Sequence, residues 1–263
     1  MSQDSKGKLA KVVTLHRQTG DDSQLPLLPA RIQAETPARR GTADLKLFVR
    51  TIDGHDYAVK TVEDHPLLPI SEFLCYKLAM VCNLPVPYSQ LINMGNGNCA
   101  FGSRFEGAVT EWAANGPTFQ LEAFKDAAET VSAILAFDLF VGNVDRHRGN
   151  FLFRKNRSNR WVPLAIDYSR AMFVQGFPND RFPMEKSERT QVTLALMKAA
   201  DFWKGPFAVF SLDSLMNVKQ EHIQHWFREV PGAWFSDDQK RGFLEWWQSP
   251  SFRDRINKVY DLI

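Results

Sequence analysis

The chain lacks any apolar run of the roughly 18 residues that a membrane-crossing helix needs, and its first residues, Met1-Ser2-Gln3-Asp4-Ser5-Lys6, hold no secretory apolar stretch. It is poor in cysteine. Three cysteines, an odd number with no Cys-x-x-Cys spacing, exclude a disulfide framework and a cysteine zinc site, and they fit a reducing, cytoplasmic compartment. Charge of one sign is missing too: 32 Lys and Arg face 30 Asp and Glu, a net charge of +2, so nothing demands nucleic acid as a direct ligand. Gly-x-Ser-x-Gly and His-Glu-x-x-His are absent, which removes the nucleophile-elbow hydrolases and the zincins. There is no internal repeat and no low-complexity tract. What the chain does have is 44% hydrophobic and 12% aromatic residues over 263 positions, enough for one large domain or two lobes sharing a cleft.

Residues 1–25 are polar, with scattered apolar positions and one short strand expected near Lys11–Leu15, and read as an N-terminal arm. Ala30–Glu35 suits a strand and Thr36–Thr42 the loop after it. Leu45–Ile52 alternates in strand rhythm, Asp53-Gly54 is a hairpin signal, and His55–Val62 returns with Tyr57-Ala58-Val59-Lys60. From Ile70 the period becomes helical, with Ser71-Glu72 placed in the first turn and Asn83 as the stop. Tyr88–Met94 and Cys99–Phe105 resume the sheet. Leu121–Val141 reads as one long helix with a single buried face, ending at Gly142. A loop over Asn143–Asn150, a hairpin over Phe151–Ile166, and helical patches over Thr190–Phe202, Leu215–Phe227, Asp237–Trp247 and Phe252–Leu262 complete the chain. The expected organisation is an arm over 1–25, a sheet-rich lobe over 26–111 and a mainly helical lobe over 112–263.

The chemistry concentrates in Gly142-Asn143-Val144-Asp145-Arg146-His147-Arg148-Gly149-Asn150. An aspartate just past a buried helix is followed, five positions later, by an asparagine entering a strand. Protein kinases keep this D-x-x-x-x-N separation, because a base must meet the acceptor hydroxyl on one side of the transferring phosphoryl group while an amide oxygen holds Mg2+ on the other. Asp167, at the exit of the following hairpin, is the second metal candidate, and two carboxylates with one amide suit a hard cation. Lys60 on its strand and Glu72 on the next helix match a phosphate-binding lysine steadied by a carboxylate.

The stretch Asp145-Arg146-His147-Arg148-Gly149-Asn150 with Ile166-Asp167 resembles the D-x-H-x-x-N loop of HipA-like kinases and of phosphatidylinositol-kinase-like enzymes. Ser71-Glu72-Phe73-Leu74, Leu84-Pro85-Val86-Pro87 and Phe101-Gly102-Ser103-Arg104-Phe105 tilt the resemblance to the compact HipA-like group, over roughly Ala30 to Phe173. It implies an α+β, two-lobed protein-kinase-like fold with a sheet-rich N-lobe and a mainly helical C-lobe. It also implies an ATP- and Mg2+-dependent kinase acting on protein serine or threonine, and some members of that family are toxins opposed by an antitoxin-like regulator. The site residues it implies are Asp145 and His147 for catalysis, Lys60 and Glu72 for ATP, and Asn150 and Asp167 for the metal.

Two departures stand out. Tyr168-Ser169 follows Asp167 in place of Phe-Gly, and no Gly-x-Gly-x-x-Gly precedes Lys60, leaving Gly41 in Arg39-Arg40-Gly41-Thr42 to cradle phosphate. Blander readings stay open. Asp145 and Asn150 also suit turn caps, Lys60 and Glu72 a surface ion pair, and Arg146 and Arg148 solvated loop positions. His147 is either a catalytic-loop group that orients Asp145 or phosphate, or a packed structural histidine, and Asn143 suits a structural support of the loop. A lipid or small-molecule acceptor, or a nucleotide-binding module without turnover, are the alternatives to a protein kinase.

Overall fold

The computed structural model describes residues 29–37, 47–94, 97–111, 117–178 and 184–263. The expected arm over 1–25, with its strand near Lys11–Leu15, and Gly41 lie outside them. Strands β1 (Ala30–Pro37), β2 (Leu47–Thr51), β3 (Asp56–Lys60), β4 (Ser89–Asn93) and β5 (Cys99–Arg104) close into a barrel of order β1-β2-β3-β5-β4. The short parallel pairing of β1 with β4 shuts it, so no long sheet edge is left open. The β2–β3 hairpin turns where Asp53-Gly54 predicts. Gly54 sits at φ +81°, and the Thr51 hydroxyl bonds Asp53 across the turn. Gly102 is required by close approach, since a Cβ there would stand 2.5 Å from Ile92 inside the barrel. Val49, Tyr57, Val59, Ile92 and Ala100 fill that interior as a small core of their own.

Helix α1 (Leu68–Val81) starts two residues before the expected Ile70, with Pro69 in its first turn, where a missing N–H costs nothing. Ser71 and Glu72 therefore fall in the second turn and are buried rather than complementing the helix dipole. Asn83, at φ +53°, ends the helix. Its N–H bonds the Met80 carbonyl and the Leu84 N–H bonds the Ala79 carbonyl.

The rest of the chain is mainly helical. The single helix expected over Leu121–Val141 is two, α2 (Pro117–Asp126) and α3 (Ala128–Val141). The break at Ala127 lets Asp126 accept the Trp161 N–H at 3.1 Å and the Arg160 guanidinium on its carbonyl at 3.2 Å. Leu121 then faces solvent instead of the core. Helix α3 has no polar face, because Val131, Ile134, Leu135, Phe137, Leu139, Phe140 and Val141 are all fully buried. A short strand β6 (Thr110–Glu111) pairs with the hairpin β7 (Phe151–Lys155) and β8 (Trp161–Ala165) in the order β6-β7-β8.

Helices α4 (Arg189–Ala199), α5 (Gly205–Met216), α6 (Gln220–Glu229), α7 (Asp237–Gln248) and α8 (Pro250–Leu262) follow. The helix expected over Leu215–Phe227 is in fact the end of α5 and the body of α6. Gly205-Pro206 opens α5, with the proline in its first turn. One continuous core joins α1, α3 and the later helices, and Trp234 and Trp247 are buried in it. Cys75 and Cys82 are buried free thiols. Among the described residues no helix is long and apolar enough to cross a membrane.

Candidate active site

Helix α3 ends where Gly142 adopts φ +69°, and the Asn143 N–H returns to the Asp138 carbonyl at 2.9 Å. That left-handed residue turns the chain sharply into the loop carrying Asp145. The loop is tied from below by a buried ion pair that the sequence reading missed. Arg146, expected as a solvated loop arginine, is completely buried. Its Nε lies 2.7 Å from Asp138 Oδ2 and its Nη2 3.1 Å from Oδ1. Nη1 donates to the Asn150 carbonyl at 2.9 Å and also to the Ile166 carbonyl. Burial alone would lower the guanidinium pKa, but the Asp138 carboxylate outweighs it and holds Arg146 above its usual value. The guanidinium also lies 4.7 Å from the Tyr168 ring centre. A signal for this pair was present, since Asp138 is the one charge in the apolar run Ile134–Val141 and must meet a partner there.

Asn143 supports the loop, as one reading expected: its Nδ2 donates to Asp138 Oδ1 at 2.8 Å and its Oδ1 accepts the Asp145 N–H at 3.3 Å. On the far side, the first turn of α4 clasps the backbone. The Thr190 hydroxyl accepts the Arg146 N–H at 2.8 Å and donates to the Asn143 carbonyl, while Thr193 donates to the Arg146 carbonyl at 2.8 Å. Asp145 is thus presented, half-buried, by a loop fixed on two sides. Arg189, the first residue of α4, places Nη1 3.1 Å from Asp145 Oδ1.

His147 caps the 3-10 turn Arg148–Asn150, accepting the Gly149 N–H on Nδ1 at 3.0 Å. Burial, with Arg189 and Arg146 near by, lowers its pKa against the pull of Asp145, so the ring is neutral near pH 7. Asn150 enters β7 and donates Nδ2 to the Asp145 carbonyl at 3.0 Å, which leaves its amide oxygen as the acceptor. The Asn150 carbonyl accepts the Ile166 N–H at 3.1 Å, so Asn150 and the residues leading to Asp167 face each other at one end of the β7–β8 hairpin.

Asp167 sits at φ +62°, and its Oδ1 accepts the Ser169 N–H at 3.2 Å and lies 3.6 Å from Lys60 Nζ. Burial pushes its carboxyl up, but Lys60 and the Ser169 bond outweigh that and hold it below the ordinary carboxylate range. Glu72 reaches the same place from α1, its Oε1 accepting the Tyr168 N–H at 3.1 Å. Burial pushes its carboxyl up to about 7, while the Lys60 charge pulls the other way. Glu72, Tyr76, Phe101 and Asp167 line a pocket between the barrel and the helical half. The structure therefore brings Lys60, Glu72, Asp167, Asn150 and Asp145 to one place.

Among the described residues no cluster of three His, Cys, Asp or Glu could hold a metal ion. The amide of Asn150 and the carboxylate of Asp167, brought to one end of the β7–β8 hairpin, fit a different demand, that of Mg2+, which keeps water and phosphate oxygens as its remaining ligands.

No family model and no curated protein matches the chain in sequence. Among solved structures, that of the Helicobacter pylori proinflammatory kinase CtkA superposes with a TM-score of 0.53 at 14% identity, covering 89% of this chain and 97% of that one. The chain has a kinase-like fold. HipA of Shewanella oneidensis, solved with HipB and operator DNA, matches at 13% identity over 89% of this chain and 67% of that one, with a TM-score of 0.49. An aminoglycoside phosphotransferase, APH(2")-IIia in complex with GDP and kanamycin, matches at 14% identity over 91% and 94%, with a TM-score of 0.37. The α+β division expected from sequence, strand-rich first and helical after, is that of this kinase-like fold. The two-lobed kinase-like fold that the HipA-like resemblance implied is the fold observed.

Proposed function

We propose that the chain is a Mg-ATP-dependent kinase that transfers the γ-phosphoryl group to a hydroxyl, with protein serine or threonine as the acceptor. The observation that carries this reading is the approach of Lys60 Nζ to Asp167 at 3.6 Å, with the Asn150 carbonyl accepting the N–H of Ile166, the residue before Asp167. A lysine, a carboxylate and an amide oxygen held together beside a presented aspartate suit a phosphate-bearing ligand and its Mg2+.

In this reading Asn150 Oδ1 and Asp167 hold Mg2+, whose contribution is to neutralise charge on the phosphate oxygens. Lys60, steadied by Asp167 and Glu72, binds phosphate from the barrel side, and the backbone of Gly41 is the cradle proposed from sequence. Asp145 orients the acceptor hydroxyl and receives its proton. His147, neutral and bonded to the Gly149 N–H, shapes the loop between Asp145 and Asn150. Phosphoryl transfer asks little covalent help of a protein, so positioning and charge supply the rate. The buried Asp138–Arg146 pair and the α4 clasp fix Asp145 for that task.

Incubation of the wild type and Asp167→Ala with Mg-ATP and a degenerate serine/threonine peptide pool tests the proposal. Phosphate mass on the chain or peptides, with the wild type only, is the expected result. Equal transfer by Asp167→Ala would overturn the metal assignment. ADP formation without phosphopeptide would replace the protein acceptor by a small molecule or lipid, and nucleotide binding with no ADP formed would make the chain a binding module.

A further inference from the structure

Asp145 is not alone at the mouth of the site. Arg189 stands beside it, and nothing in the loop sequence announces that arginine, because it comes from α4, 44 positions later than Asp145 (189 less 145). Its place is nonetheless fixed. Thr190, the next residue, is fully buried and bonded to both the Arg146 N–H and the Asn143 carbonyl, and its own N–H meets the Val144 carbonyl at 3.3 Å. The α-carbon of Arg189 is thereby held against the loop that presents Asp145. Its side chain is 64% exposed and that of Asp145 31% exposed, so the guanidinium lies on the solvent side of the carboxylate, where an acceptor must enter.

The charges around Asp145 sharpen the point. Arg146 is consumed below the loop by Asp138. His147 is neutral near pH 7 and uses Nδ1 on the Gly149 N–H. Lys60 lies on the nucleotide side with Asp167. Among the described residues Arg189 places its guanidinium against Asp145, at 3.1 Å. A guanidinium has five donors in a planar fork matched to phosphate oxygens. One donor on Asp145 leaves others for a group bound next to that carboxylate.

Resting on the kinase reading above, we propose that Arg189 is a catalytic residue that contacts the phosphoryl group in flight from the acceptor side. As the bond from the acceptor oxygen to Pγ forms and the bond from Pγ to the β,γ-bridging oxygen breaks, ADP leaves with that oxygen. The hydroxyl proton passes to Asp145. Negative charge on the three equatorial oxygens is met by Lys60 and the metal site on one side and by Arg189 on the other. Arg189 thus exchanges a carboxylate partner in the resting enzyme for a shared carboxylate and phosphoryl contact during transfer.

Two measurements on the full chain test this. The first is ADP formation from Mg-ATP with the peptide pool. Arg189→Ala should lower kcat about 100-fold, the scale of losing one preorganised donor, with KM for ATP unchanged and partial recovery in Arg189→Lys. The second is binding of Mg-ADP with and without aluminium fluoride, a planar phosphoryl mimic. Arg189→Ala should leave Mg-ADP affinity as it is and reduce, about 100-fold, the gain that the fluoride brings. An unchanged melting temperature would show that the exposed side chain is not structural. Full kcat in Arg189→Ala, or an undiminished fluoride gain, overturns the proposal, because a residue that only steadied Asp145 would leave the gain intact. A wild type that neither binds Mg-ADP nor forms ADP overturns the kinase reading itself, a distinct result.

Discussion

Replacing Arg146 by methionine should cost far more than removing any surface charge. Both members of the Asp138–Arg146 pair are completely buried, and Asp138 receives two guanidinium bonds plus the Asn143 amide. Methionine fills similar volume but leaves a carboxylate in an apolar helix with one neutral donor. Breaking one side of a buried pair costs about 3–5 kcal/mol, and the Ile166 carbonyl also loses its guanidinium donor. A loss of about 4 kcal/mol corresponds, in a chain of this size, to a drop of about 10 °C in melting temperature. Urea unfolding and calorimetry of the wild type, Arg146→Met and the double variant Asp138→Leu/Arg146→Met would read it. The double variant should recover most of the stability, because no charge is then left buried alone, while phosphate transfer stays low for want of the loop's anchor. An Arg146→Met chain within about 1 kcal/mol of the wild type would refute the argument that this pair supports the loop.

Thr190→Val should destabilise by about 2 kcal/mol, since it strands the Arg146 N–H and the Asn143 carbonyl in a buried place, whereas Thr190→Ser should retain the bonds; urea unfolding separates them. Glu72 holds its proton up to about 7 in the folded chain against an ordinary 4.5. The folded state therefore binds more protons between those values, and stability should fall as pH rises through that window, by up to about 3 kcal/mol. Glu72→Gln should flatten that slope in melting curves taken from pH 4.5 to 7, and an unchanged slope would mean that Glu72 is already ionised.

Much of the site was legible because its chemistry is local. The hairpin at Asp53-Gly54, the stop at Gly142, the strand pair Phe151–Ile166 and the separation of Asp145 from Asn150 each depend on a few adjacent residues with strong backbone preferences. The errors fell where a wider context decides. Asp126 broke a helix that its periodicity would have continued, because the partners it satisfies come from the β7–β8 hairpin. The patch expected to begin at Leu215 left out most of α5, which Gly205-Pro206 opens although both residues usually interrupt a helix.

The sequence by itself determined the division into strand-rich and helical parts and the identity of Lys60, Glu72, Asp145, Asn150 and Asp167 as chemically coherent groups. Spacing along the chain carries that information, since Lys60, Asp145, Asn150 and Asp167 each lie at or just past the end of an element that local pattern predicts, while Glu72 lies inside α1. Tertiary structure alone decided that Arg146 is buried on Asp138 and that Arg189 reaches Asp145. The same arginine letter stands for a buried anchor at one position and a solvent-facing cation at another. Which it becomes depends on whether a carboxylate from elsewhere in the fold can offset the cost of taking the charge out of water.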